Sequence, residues 1–195
     1  MANTKTNVTT AKPKIGGAVY RAPIGTSLPS DATTALANAF IAMGYISEEG
    51  VTNTSKPNAE FIKDWGGERV CSVSEDREDT FKMKFIESLN PSVLGAVYGE
   101  GNVTGSVTGT NGLKVTVNNN DPEEFVWVIE TVLRGNIAKR IVIPSAAVTD
   151  IADIVYKRNE PIGYECTLTA TADASGNYHY EYIKGTSGTS QGGSE

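Results

Sequence analysis

The chain reads as a mainly β fold with one or two short helices, and three observations predict it. Segments that alternate apolar and polar residues recur along the chain. Glycine, 20 residues in all, stands where these segments have to turn. Strong helix formers are thin outside two short windows. At 195 residues the chain suits one domain, which can bury roughly 70% of its unfolded surface without disulfide or metal staples.

Both ends are polar and aperiodic. Residues 1–14, rich in Thr, Asn and Lys, are expected as a flexible N-terminal arm, and the Gly/Ser-rich residues 185–195 as a flexible tail. Neither has the apolar surface to offset an ordering cost of roughly 1–2 kcal/mol per residue. The β domain is expected over 15–184. Ile15 to Tyr20 opens it and ends at Arg21-Ala22-Pro23. Asp31 to Met43, with Leu36, Phe40 and Met43 at helical spacing before Gly44, predicts a helix, against which the β-branched pair Thr33-Thr34 weighs. Tyr45 and Val51 mark a weak strand leading into the polar stretch Thr52 to Asn58. Gly66-Gly67 then separates two strand runs, Glu60 to Trp65 and Arg69 to Ser74.

From Thr80 to Ile86 the alternation is regular. Phe81, Met83 and Phe85 face one way, Thr80, Lys82 and Lys84 the other, as in a half-buried strand. Asn90-Pro91, the stripe Leu94, Val97 and Tyr98, and the closing Gly99 predict a helix of about two turns. Val103 to Val107 and Leu113 to Val117 flank a hairpin turn at 109–112. In Phe125 to Leu133 both faces are apolar: Phe125, Trp127, Ile129 and Leu133 on one, Val126, Val128 and Val132 on the other. Such a strand lies between two layers or meets another subunit, because one wet face would leave a greasy row exposed. Ile141-Val142-Ile143 poses the same question. Tyr164, Cys166, Leu168 and Ala170 alternate with threonines, and a turn at 173–176 is expected to send the chain back through Tyr178, Tyr180 and Tyr182.

The net charge of −6 argues against a protein that grips nucleic acid, since phosphate affinity comes from Lys and Arg. Met1 to Lys14 lacks the apolar run of a signal peptide, and no apolar stretch approaches the length of a membrane span. Retention in a cytosol, or exit by a route other than secretion, is the expectation. There, Cys71 and Cys166 are expected as buried free thiols. His179, the sole histidine, has no Cys or Asp partner nearby in sequence and is expected at a surface or interface. Acidic clusters at Glu75, Asp76, Glu78 and Asp79 and at Asp121, Glu123 and Glu124 lack the spacing of a calcium loop and suit solvated connections. The glycines from Gly99 to Gly109 lack a phosphate-loop pattern. No catalytic residue, cofactor or metal is expected.

Several segments, taken in order, resemble the major tail proteins of long-tailed bacteriophages, the subunits of the tail tube. They are Gly17-Ala-Val-Tyr20 through Pro29-Ser-Asp31, Met43-Gly44-Tyr45 through Gly50-Val51, Ile62-Lys-Asp-Trp65-Gly-Gly67, Phe81 to Glu87, and Asn90-Pro-Ser-Val-Leu94 to Val103. The resemblance spans about residues 15–170. It implies a β-sandwich or open-barrel subunit with a short helix packed on it. It also implies hexameric rings stacked into a tube through which viral DNA passes without specific binding. The implied partners are other copies of the chain, a tape measure protein and a tail terminator; the implied place is the virion, assembled in the host cytoplasm, with no membrane. Phe125, Val126, Trp127, Val128 and Ile129, with Thr52, Asn53 and Lys56 in the stretch expected to form an inter-ring loop, are the candidate subunit-interface residues. Two other classes compete. A monomeric immunoglobulin-like or adhesin module would account for the β content and the Gly/Ser tail. A carboxylate-based hydrolase would use Glu75 or Asp79, converging in a cleft.

Overall fold

A computed structural model describes residues 3–185. In chain order the elements are β1 (Ala11–Pro13), β2 (Val19–Pro23), β3 (Ile41–Ala42), β4 (Ile46–Lys63), β5 (Arg69–Phe85), α1 (Pro91–Tyr98), β6 (Val103–Gly105), β7 (Leu113–Val115), β8 (Glu124–Leu133), β9 (Ile137–Ile151), β10 (Tyr164–Ala170) and β11 (Tyr180–Lys184). Nine strands form one antiparallel sheet in the order β3-β2-β8-β9-β10-β5-β4, with β1 added to β8 and β11 to β9; β6 and β7 pair as a separate hairpin.

The alternation read in the sequence sets the core. On β10, Tyr164, Cys166, Leu168 and Ala170 are buried, each separated by a half-buried residue. The first three pair across with Phe85, Met83 and Phe81 of β5, so both strands turn the same apolar row inward. Phe125, Trp127 and Ile129 of β8 and Ile143 and Ala146 of β9 complete it. β8 and β5 stand three strand spacings apart in the sheet, about 14 Å if it were flat. The rings of Phe85 and Trp127 nonetheless lie 6.4 Å apart, so the sheet folds over on itself as in a sandwich. The Trp127 indole N–H donates to the Ala146 carbonyl at 3.0 Å, so this buried donor is paired.

The predicted helix at 91–98 forms as its end signals require. Asn90 accepts from the Ser92 N–H, Pro91 opens the first turn, and Gly99 at φ 93° closes it. Its face Val93, Leu94, Ala96 and Val97 packs into the core. Arg21 reaches under it to the Ser92 carbonyl and to Glu100, with its guanidinium 4.3 Å from the centre of the Phe125 ring. Burial pulls the Arg21 pKa down, opposed by the Glu100 charge.

The second predicted helix, at Asp31 to Met43, does not form. The Asp31 carboxylate accepts from the backbone N–H groups of Thr33 and Thr34 and from both hydroxyls, holding the chain in turns instead. Ile41 and Ala42 become β3 against β2, and Met43 enters the core. Two further expectations change. Residues 11–13, expected as part of a loose arm, lie along Thr131 to Leu133, where β8 runs on past β2 and would otherwise present an unpaired edge. The turn at 173–176 does not send the chain back along β10. Both β10 and β11 run antiparallel to β9, end to end along one edge, with residues 171–179 looping out between them. The expected tail at 185–195 lies outside the described residues beyond Gly185.

Candidate assembly surface

β4 and β5 are the longest strands, at 18 and 17 residues, and only part of each belongs to the body. β10 pairs with β5 from Phe85 to Thr80 and then ends. Beyond Thr80 the ladder between β4 and β5 continues alone, from Thr54 opposite Thr80 to Lys63 opposite Arg69. At about 3.3 Å per residue this two-stranded arm reaches roughly 30 Å past the body. Asp64 closes its end by accepting from the Glu68 N–H, and Gly67 takes φ 87° in the turn. The stretch Thr52 to Asn58, expected as a loop, is therefore a strand. Its polar character reflects two wet faces, and Pro57 is tolerated because β4 is an edge.

The outer arm carries an unusual apolar load for a segment in water. Phe61, Ile62, Val70 and Val73 are exposed, and Trp65 at the turn is fully so. The Arg69 guanidinium stacks 4.4 Å above the Phe61 ring, shielding one side of it. Cys71, opposite Ile62, is an exposed free thiol, unlike the buried one expected; Cys166 is buried, and that burial pushes its thiol pKa up to about 12.

Of the eight residues predicted for the interface, Thr52, Asn53 and Lys56 lie exposed on β4, at the root and lower part of the arm. The other five are placed differently. Phe125, Trp127 and Ile129 point into the core. Val126 and Val128, 1% and 0% exposed, lie on the opposite face of β8 beside Ala22 and Val142. The turn at 31–34 lies on the Arg140 side of the sheet, tied down by Arg140 donating to the Asp31 carbonyl at 2.7 Å and the Thr34 carbonyl at 2.8 Å. Both apolar faces of Phe125 to Ile129 are thus covered by the chain itself, so their composition calls for no neighbour. Exposed apolar residues stand instead around Gly66-Gly67, which alternation alone had made an ordinary hairpin.

Asp79 pairs with His179, a partner 100 residues away, and the histidine side chain is 19% exposed. The side chains of Glu75 and Asp76 lie outside the described set. Among the described residues no group of three His, Cys, Asp or Glu side chains is placed to hold a metal ion. No helix among them is long and apolar enough to cross a membrane.

Comparison with known proteins adds the context for this arm. The family described as Phage tail tube protein matches residues 1–191. No curated protein matches the chain significantly.

Proposed function

Because the chain belongs to the phage tail tube protein family, a structural family of the virion, we propose that it assembles into hexameric rings that stack into the tube for genome delivery, each ring joined to the next through the β4–β5 arm. The observation that carries the reading is the arm itself. A two-stranded ribbon with no third strand is at best marginally stable in water, and this one also leaves aromatic and aliphatic side chains exposed at its end. A second copy of the chain supplies what is missing: a surface for Trp65, Phe61 and Ile62, and a strand edge or pocket beside the ribbon.

The body supports the same reading. Among the described residues the outer edge of β4 has no partner strand, an open ladder of N–H and C=O groups that a neighbour's strand completes. The net negative charge suits a conduit that DNA must traverse without being held. Tape measure and tail terminator proteins are the further partners, met inside and at the end of the tube. Thr52, Asn53 and Lys56 contribute to the contact from the arm's root; the run from Phe125 to Ile129 serves it as rigid backing from the core.

Electron microscopy of the concentrated chain tests this reading. Hollow tubes with six-fold symmetry are expected. Particles that stay monomeric at every concentration and ionic condition, with the arm intact, would refute it.

A further inference from the structure

The arm leaves the body at a point where only β4 and β5 run on from the sheet. β10 stops pairing at Thr169 opposite Thr80, and the next residue of β5 toward the tip is Asp79. A two-stranded ribbon resists twisting and swinging poorly. Something else has to define its direction at that point.

Asp79 is 1% exposed, although the neighbouring Glu78 and Arg77 are exposed. Both of its carboxylate oxygens are occupied, each from a different direction. Oδ1 accepts from the Asn53 side-chain amide at 2.8 Å, across the ladder on β4, and the same amide also donates to the Thr80 carbonyl at 3.1 Å. Oδ2 meets Nδ1 of His179. His179 arrives on the loop 171–179, which swings out where β10 ends and returns at β11. Its ring stands edge-on to Phe81, with centroids 5.3 Å apart. Phe81 is fully buried in the core, so the histidine is braced from inside the body. Three segments distant in sequence meet on one carboxylate at the arm's root.

We propose that Asn53, Asp79 and His179 form a lock that fixes the direction in which the β4–β5 arm leaves the body. His179 takes the place of the missing third strand. A buried carboxylate satisfied by fixed donors is costly to leave half-paired, so the cluster holds one geometry rather than several. In this view His179 and Asp79 are positioning residues: they touch no partner, and they set where the exposed tip is presented. The lock stands on this geometry alone. Its effect on assembly rests on the tube reading above.

The full chain carries its own reporter, since Cys71 on the arm is exposed and Cys166 is buried. A spin label on Cys71 and a second on the body through Asp150→Cys give the arm–body distance distribution by pulsed electron spin resonance. Lys12→Cys with Asp150→Cys, in a chain carrying Cys71→Ser, gives a body–body control. His179→Phe keeps a ring against Phe81 but removes the donor to Asp79. It is expected to widen the arm–body distribution at least twofold and leave the control unchanged. His179→Asn, whose amide nitrogen sits near the position of Nδ1, is expected to restore the narrow distribution. An unchanged arm–body distribution in His179→Phe would overturn the lock. So would equal broadening of the control, which marks general loosening, or failure of His179→Asn to restore. Tube formation is scored separately: a widened distribution with parental tube yield supports the lock and counts against the arm as the ring-to-ring contact.

Discussion

Arg140 is 1% exposed and directs its guanidinium to three acceptors, the Glu130 carboxylate and the carbonyls of Asp31 and Thr34. Glu130 is held from the other side by Lys14 at 2.6 Å. Removing one member of such a buried set leaves the other uncompensated. Arg140→Met is therefore expected to cost about 3–5 kcal/mol, toward the lower end because Lys14 still reaches Glu130; urea denaturation followed by circular dichroism measures it. In the core, Leu168→Ala is expected to cost about 2–5 kcal/mol in the same assay, as for other fully buried leucines. The thiols divide cleanly at this scale. Burial pushes the Cys166 pKa up to about 12, so at pH 8 its thiolate is scarce as well as inaccessible. One thiol per folded chain should react with a colorimetric disulfide reagent, and Cys71→Ser should abolish that reaction. A fast second equivalent in the native protein would contradict the placement of Cys166. These contacts were beyond sequence reasoning, because Asp79 and His179, or Arg140 and Asp31, are joined only by folding. Periodicity reports which face a residue takes, not which distant residue it meets.

At the scale of elements, the strand alternations of β5, β8 and β10 and the capped helix α1 were readable, because each is determined by local chemistry. The segment 31–43 differs for a reason that is not local. Leu36, Phe40 and Met43 have helical spacing, but distant Arg140 takes the Asp31 and Thr34 carbonyls that a helix would use, and the Asp31 carboxylate holds a turn through the Thr34 hydroxyl and the amides of Thr34 and Thr33. These hydrogen bonds hold the Asp31 pKa well below the ordinary carboxylate range. A group depressed in the folded state contributes stability above its unfolded pKa and loses it as pH falls through the folded one. Asp31→Ala is accordingly expected to raise amide hydrogen exchange across 31–34 at neutral pH, with the difference from the parent narrowing in strong acid. Polar composition disguised the arm, since a ribbon wet on both faces has no alternation to show. Replacing residues 57–77 by Asn-Gly, which joins Lys56 to Glu78 by a two-residue turn, should leave the body's stability within about 1 kcal/mol of the parent. The same replacement is expected to abolish tubes.

For the whole molecule, one folded sheet encloses a core complete in itself, and that separates two problems. Both faces of β8 from Phe125 to Ile129 are buried within the chain itself, whereas the apolar tip of the arm is exposed. Family membership establishes a structural tail-tube protein, and several exposed apolar residues stand together on the outer arm. Stability and assembly are therefore expected to respond to different mutations: core changes lower the denaturation midpoint, whereas arm changes lower tube yield at constant midpoint. The central claim is that the arm of each subunit seats on a copy in the adjacent ring. A cryo-electron microscopy map of the assembled tube tests it most directly. The account predicts six subunits per ring, with the β4–β5 arm crossing to the next ring and Trp65 buried against it. A tube whose rings meet through other surfaces, with the arm and Trp65 left in solvent, would contradict it.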